Sequence, residues 1–268
     1  MLKEKASIDK LRWIMSELRD PETGCPWDLK QTFSSIVSCT IEEAYEVADA
    51  IEQEDFVELE KELGDLLFQV IFYSQLGQEE KRFDFDSVVN AICEKLIRRH
   101  PHVFSDSSFG SEAEIKANWE NEKAKERQFK NKTEQGQSLR ILTDIPKNLP
   151  ALSQAAKIQK RCAHVGFDWH NIDDVFDKVV EEVDEVKAEL HVNPEALAEE
   201  LGDLMFAVVN LCRHAKQDPE SLLRQANKKF SKRFNCVEDK VTASNKSFKE
   251  HNLPELELYW QQVKAEEG

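Results

Sequence analysis

The sequence predicts an all-α protein built as two tandem helical modules, and three observations carry that prediction. Apolar residues recur at helical spacing through long segments rich in Glu, Lys, Leu, Ala and Val, and no alternating run competes as a strand. Glycine and proline are sparse, eight of each in 268 residues, so few positions interrupt those segments. The order of parts is also written twice. Arg19, Gly24 and Trp27 return as Arg161, Gly166 and Trp169, the stretch Lys95 to Arg99 returns as Lys229 to Arg233, and Trp119 returns as Trp260.

In the first module the periodicity predicts helices over 8–19, 40–53, 56–77, 85–99 and 112–130. In the second it predicts 151–162, 172–190, 195–216, 219–241 and 254–266. Asn193-Pro194 and Asp218-Pro219 each pair a capping side chain with a proline. Proline suits a first helical position because its missing N–H would have had no partner there. The polar stretch 131–140, containing Gly136, reads as a linker between modules at 1–130 and 141–268. Leu59, Leu63, Leu66, Leu67 and Val70 form one apolar stripe. Leu197, Leu201, Leu204, Met205 and Val208 form its repeat, and Val175, Val179, Val183 and Val186 line a third helix. These stripes are expected in the core. Few helices with wide apolar faces imply four-helix-bundle packing completed by a second module or a second subunit.

The formal net charge of -16 sets the chain against nucleic acid, whose binders neutralise phosphates with Lys and Arg. A small anion remains compatible if metal ions and local cations reverse the sign inside a pocket. Six cysteines lie far apart with no C-x-x-C pair, which reads as reduced thiols and a cytoplasmic location. The charged start is unlike a signal peptide, and the apolar run from Leu66 to Tyr73 is too short to span a bilayer, so no membrane role is expected.

The chemistry is written in carboxylates. Glu42-Glu43-Ala44-Tyr45-Glu46 is followed by Glu62-Leu63-Gly64-Asp65, and Glu181-Glu182-Val183-Asp184-Glu185 by Glu200-Leu201-Gly202-Asp203. Spacing of i,i+3 keeps each pair of acids on one helix face. Glu43 with Asp65 and Glu46 with Glu62 are symmetric about residue 54, so an antiparallel hairpin turning there would oppose them. Glu182 with Asp203 and Glu185 with Glu200 share a midpoint in the turn at His191 to Pro194. Glutamates also crowd ordinary solvated helix faces, but matched register in two copies is not what a solvated face requires. Opposed acids repel unless a cation lies between them. Oxygen donors without His or Cys favour Mg2+, with Mn2+ as a substitute, over zinc. Di-iron chemistry is disfavoured, because no histidine follows a Glu at E-x-x-H spacing. Lys95/Arg99 and Lys229/Arg233 at i,i+4 suit the grip of a polyphosphate or form an ordinary basic helix end. Trp119 and Trp260 suit either stacking on a nucleobase or packing.

These acid motifs, with Arg98 to Phe104 (R-R-H-P-H-V-F), Gly24-Cys25-Pro26-Trp27-Asp28 and Gly166-Phe167-Asp168-Trp169, closely resemble the MazG family of nucleoside triphosphate pyrophosphohydrolases. The resemblance spans almost the whole chain and matches the tandem two-module bacterial form, apart from a longer polar connector. It implies an all-α, Mg2+-dependent, usually dimeric enzyme that converts nucleoside triphosphates such as ATP to monophosphate and diphosphate with broad base tolerance. It also implies catalysis in the second module. Glu182, Glu185, Glu200 and Asp203 would be metal ligands, and Lys178, Glu199, Lys229, Arg233 and Trp260 would contact nucleotide. Glu181, Glu182 and Glu185 are the catalytic candidates, with Glu181 or Glu182 placed to accept the water's proton. The first module keeps counterparts in Glu43, Glu46, Glu62, Asp65, Lys95, Arg99 and Trp119. An alternative from another class is a non-catalytic, metal-dependent nucleotide sensor or partner-binding helical protein, because ligands that hold a substrate's metal serve binding as well as hydrolysis.

Overall fold

The computed structural model describes residues 7–105, 108–132 and 140–267, and no strand occurs among them. The chain divides into two compact units, Met1–Gln128 and Phe129–Gly268. Most of the connector expected at 131–140 lies outside the described residues.

The first unit holds α1 (Ile8–Leu18), α2 (Val37–Glu52), α3 (Phe56–Glu79), α4 (Phe85–Arg99), the one-turn α5 (Pro101–Phe104) and all but the last residues of α6 (Glu112–Lys132). Helix α3 is the axis of the unit, with α1, α2 and α4 packed on it. The chain reverses between α2 and α3 through Glu54, whose φ of 57° is in the left-handed region, and Asp55 then caps α3 by accepting from Val57 N and Glu58 N. The core is Met15, Ile36, Ile71, Phe72 and Leu76. Arg19 is sealed beneath this layer, 8% exposed. Its guanidinium makes a two-pronged contact with Glu79 at 2.9 and 2.7 Å, donates to the Asp28 carbonyl and lies 5.4 Å over the Phe72 ring. That set ties the end of α1 to the end of α3, which is why a buried charge is tolerated.

The second unit repeats the plan with α7 (Ala151–His164), α8 (Ile172–Glu189), α9 (Pro194–His214), α10 (Pro219–Ala243) and α11 (Leu253–Glu266). Here α9 is the axis: α7, α8 and α10 pack on it, α7 also meets α10, and α11 lies on α10. Asn193 and Asp218 cap α9 and α10 ahead of the prolines, as their sequence signals predict. A local core of Val237, Val241 and Val263 joins α10 to α11, with Trp260 packed against it.

Helix positions follow the sequence expectations within a few residues, except that α5 and the single turns at Asp28–Lys30 and Phe248–Glu250 have no periodic signature. Burial departs from expectation. Leu63, Leu67 and Val70 on α3 and Leu201, Met205 and Val208 on α9 are 38–59% exposed rather than in the core. The apolar stripes of α3 and α9 are wider than their own unit covers, so part of each faces outward. Ile41 and Tyr45 on α2, with Phe176 and Val180 on α8, extend those faces. Among the described residues no helix is long and apolar enough to cross a membrane.

Candidate functional site

Each hairpin brings its acids together. One ligand oxygen each from Glu43, Glu46 and Glu62 lie within 4.8 Å of one another, and so do those of Glu182, Glu185 and Glu200. The register matches the sequence symmetry. Burial and then the charges of Asp65 and Glu46 raise the Glu43 carboxyl above its ordinary range, and burial and then Glu46 raise Glu62. In the second unit, burial, then Glu185 and then Asp203 raise Glu200. Asp65 and Asp203 are therefore electrostatic members of the two clusters.

Glu182 is the most constrained member. It is 5% exposed; Oε1 takes a 2.8 Å ion pair from Lys178, while Oε2 is buried with no hydrogen-bond partner. Lys178 also donates to Glu181 at 2.8 Å, and these two bonds push its ammonium well above the ordinary lysine range. An orphaned buried carboxylate oxygen beside two further carboxylates fits a hard divalent cation, because oxygen-only donors suit Mg2+ and Mn2+. Glu182 and Glu200 with Glu185 would be its direct ligands, and Asp203 adds negative charge beside them. Glu199 lies next to Glu200 and is exposed.

The basic residues have other partners in this structure. Arg233 donates to Glu267 at 2.7 Å, and Lys229 acts on the same carboxylate electrostatically. Arg99 donates to Glu126 at 2.6 Å, with Arg98 alongside. The two guanidiniums hold Glu126 at about 2, well below the carboxylate range. Lys95 is half-buried on α4. Trp260 lies 5.1 Å from the Phe230 ring and Trp119 lies 5.1 Å from His100, so both tryptophans are packed into their units.

A cavity of about 170 Å3 opens beside the second cluster. Glu182, Asp203 and Lys178 form one side, and Gln159, Asn210, Phe167, Asp168 and Trp169 are among the rest. Asp168 receives Arg213 at 3.0 Å and His214 Nε2 at 3.0 Å. Gln159, Asn210 and Arg213 were not singled out by sequence reasoning. Their one signal is that Asn210 interrupts the apolar run of α9, where the matching position of α3, seven residues after the last acid, is Phe72.

The profile of the MazG nucleotide pyrophosphohydrolase domain matches residues 31–104 and 171–238, together just over half of the chain. The nucleoside triphosphate pyrophosphohydrolase of Escherichia coli K12 is 52% identical over 263 residues, covering 97% of this chain and 98% of that protein. The nucleoside triphosphate pyrophosphohydrolase/pyrophosphatase MazG of Thermotoga maritima is 40% identical over 258 residues, 96% of each chain. A crystal structure of a mazG-related protein from Thermotoga maritima covers 44% of this chain and 99% of its own at 27% identity, with a TM-score of 0.38. Two acid hairpins in matched register, a duplicated domain match and identity along almost the full length place this chain in the MazG family.

Proposed function

We propose that this chain is a nucleoside triphosphate pyrophosphohydrolase, converting a nucleoside triphosphate and water to nucleoside monophosphate and diphosphate in its second unit. The observation that carries the reading is the carboxylate cluster of Glu182, Glu185 and Glu200, with one buried oxygen lacking a partner and a cavity alongside. Mg2+, or Mn2+ in its place, held by Glu182, Glu185 and Glu200 with the charge of Asp203 beside them, would supply Lewis-acid charge and lower the pKa of a water.

The chain's own residues do the rest. Lys178 fixes Glu182 by a charged contact and holds Glu181 next to it, so both candidate bases have set positions. Glu181 is the more exposed of the two and suits proton exchange with solvent; Glu182 is the better oriented. Water attacks the α-phosphorus as its proton passes to a carboxylate, the bond from that phosphorus to the bridging oxygen breaks, and diphosphate leaves. Lys229 and Arg233 are assigned to the departing charge, which requires Arg233 to exchange Glu267 for phosphate. Glu199 and Trp260 complete the proposed nucleotide contacts. The first unit retains its acids, and its Arg99 would have to leave Glu126 in the same way.

The outward apolar faces of α3 and α9 support a reading of this chain as a homodimer. A methyl group added at Gly64 or Gly202, on these helices, would meet nothing within 4 Å in the chain. A helix-interior glycine with open space beside it costs stability, so that space is assigned to a second copy. All six cysteines are free, in keeping with a reducing cytoplasm. The net charge of -16 argues against nucleic acid as a partner.

The test is product identity. Nucleoside triphosphate with Mg2+ in 18O-water should yield diphosphate stoichiometrically, with the label in the monophosphate. Release of single phosphate, or label in diphosphate, would refute attack at the α-phosphorus.

A further inference from the structure

Lys178 on α8 is bonded to two neighbouring acids, one of them a member of the carboxylate cluster. Its ammonium stands 2.8 Å from Glu181 Oε1 and 2.8 Å from Glu182 Oε1. An ammonium has three N–H donors, so two are committed and one is left. Glu182 is 5% exposed, and with Oε1 held by the lysine its Oε2 is the buried oxygen without a partner. Both oxygens belong to one carboxylate, so a cation on Oε2 lies within a few ångströms of a positive nitrogen. Lys178 also lines the cavity beside Glu182 and Asp203, and its side chain is 33% exposed. An arriving phosphate oxygen can therefore meet the third N–H while the bonds to Glu181 and Glu182 stay in place.

The lysine thus repels one ligand of the site and attracts the other. Glu182, Glu185 and Glu200 draw a divalent cation, and Lys178 subtracts from that attraction at close range. The separation is well inside the ~8 to 10 Å over which salt screens surface charges, so solvent ions do not remove the effect. The first hairpin is built without this charge. Four residues before Glu43, the counterpart of Glu182, stands Cys39, whose thiol carries no positive charge. A glutamate pair at this place on the helix does not need a lysine one turn earlier in order to fold, since Glu42 and Glu43 do without one.

We propose that Lys178 couples the two ligands of the second unit: it opposes a divalent cation in the absence of nucleotide, and that opposition is lifted when a triphosphate brings its own negative charge to the same ammonium. The proposal rests on the nucleotide reading of the acid cluster and adds an order to it. The second unit takes metal and triphosphate together, and free metal weakly. Coupling between two ligands is reciprocal, so triphosphate strengthens metal binding by the factor by which metal strengthens triphosphate binding. Part of that factor comes from phosphate oxygens meeting the metal directly and survives without the lysine. The rest belongs to Lys178.

The test uses the full-length protein and reads binding rather than turnover. Hydrogen exchange on peptides from residues 172–214 is followed at rising Mg2+, without nucleotide and with α,β-methylene-ATP, whose α–β bridge resists hydrolysis. Lys178→Met, neutral and of similar length, should lower the Mg2+ concentration for half-maximal slowing by at least about 10-fold in nucleotide-free protein. The further lowering that the analogue produces in wild type should shrink by a similar factor in the variant. Lys178→Gln supplies a second neutral side chain where methionine perturbs the helix, and Lys178→Arg, which keeps the charge, should stay near wild type. A lysine that only orients Glu182 predicts the opposite sign, because its loss would loosen a metal ligand. Weaker or equal Mg2+ binding by the neutral variants, an analogue effect of the same size with and without the lysine, or no Mg2+ effect in any of the proteins would overturn the coupling. Tighter Mg2+ binding and reduced coupling in a protein that releases no diphosphate would uphold it and remove only the proposed activity.

Discussion

Replacing Glu43 by glutamine should make the metal-free first unit more stable and its response to Mg2+ smaller. Three carboxylates there have donor oxygens within 4.8 Å, and Asp65 adds a fourth charge. At that separation one like-charge contact costs about 0.9 kcal/mol in bulk water and about 3.5 kcal/mol at an effective dielectric constant near 20. The cluster is partly solvated, so a net relief of about 1 kcal/mol is the appropriate figure. Glutamine keeps the size and the hydrogen-bonding oxygen. In EDTA the α2–α3 hairpin of Glu43→Gln should therefore exchange its amide hydrogens about five times more slowly than wild type. In Mg2+ the order should invert, because ligand at 100 times its dissociation constant adds about 2.7 kcal/mol only where the site is intact. Hydrogen exchange followed on peptides from residues 37–79 reads both effects locally. Faster exchange of the variant in EDTA, or an equal Mg2+ effect in both proteins, would refute the reading of these acids as a self-repelling cation site. The glutamine variant of Glu200 should behave with the same sign in the α8–α9 hairpin, where burial and neighbouring acids raise that carboxyl.

Glu185→Ala and Asp203→Ala should each lower diphosphate release by at least about 100-fold with the helical circular dichroism unchanged; near-normal turnover in both would remove them from the metal site. Glu126 titrates at about 2 because Arg99, opposed by burial and aided by Arg98, favours its charged form. Its folded pKa lies below the ordinary 4.5, so this stabilisation is complete above that pH and is lost as pH falls towards about 2. Acid unfolding monitored by circular dichroism should accordingly be shallower in Glu126→Gln across that window, and an identical profile would count against the ion pair. Met205 is 59% exposed on α9, so Met205→Glu should leave the fold intact while weakening self-association by at least about 100-fold in sedimentation equilibrium. Unchanged association would place the contact between copies elsewhere.

What the sequence made legible was local. Asn193 with Pro194 marks a helix start because a cap and a missing N–H act within one turn of their own position. The pairing of Glu46 with Glu62 and of Glu185 with Glu200 follows from helical spacing and a short turn, so arithmetic on residue numbers was enough to oppose them. The apolar stripes were equally plain, but periodicity does not say what covers a face. Leu63 and Met205 belong to such stripes and yet face outward, since burial depends on how many other elements of the unit can reach them. Arg99 and Arg233 likewise look free in the sequence, and the fold gives each a carboxylate, Glu126 on α6 for the first and Glu267 just beyond the end of α11 for the second.

By itself the sequence determined an all-α chain with two acid hairpins, because helix periods, caps and i,i+3 spacing are properties of neighbours along the backbone. Only the tertiary structure decided which oxygen of Glu182 lacks a partner, and that the Gln159 amide donates to the Phe206 carbonyl while Asn210 accepts from Arg213. A side-chain amide or carboxylate takes its direction from donors and acceptors on other helices, and those partners are distant in sequence until the chain folds.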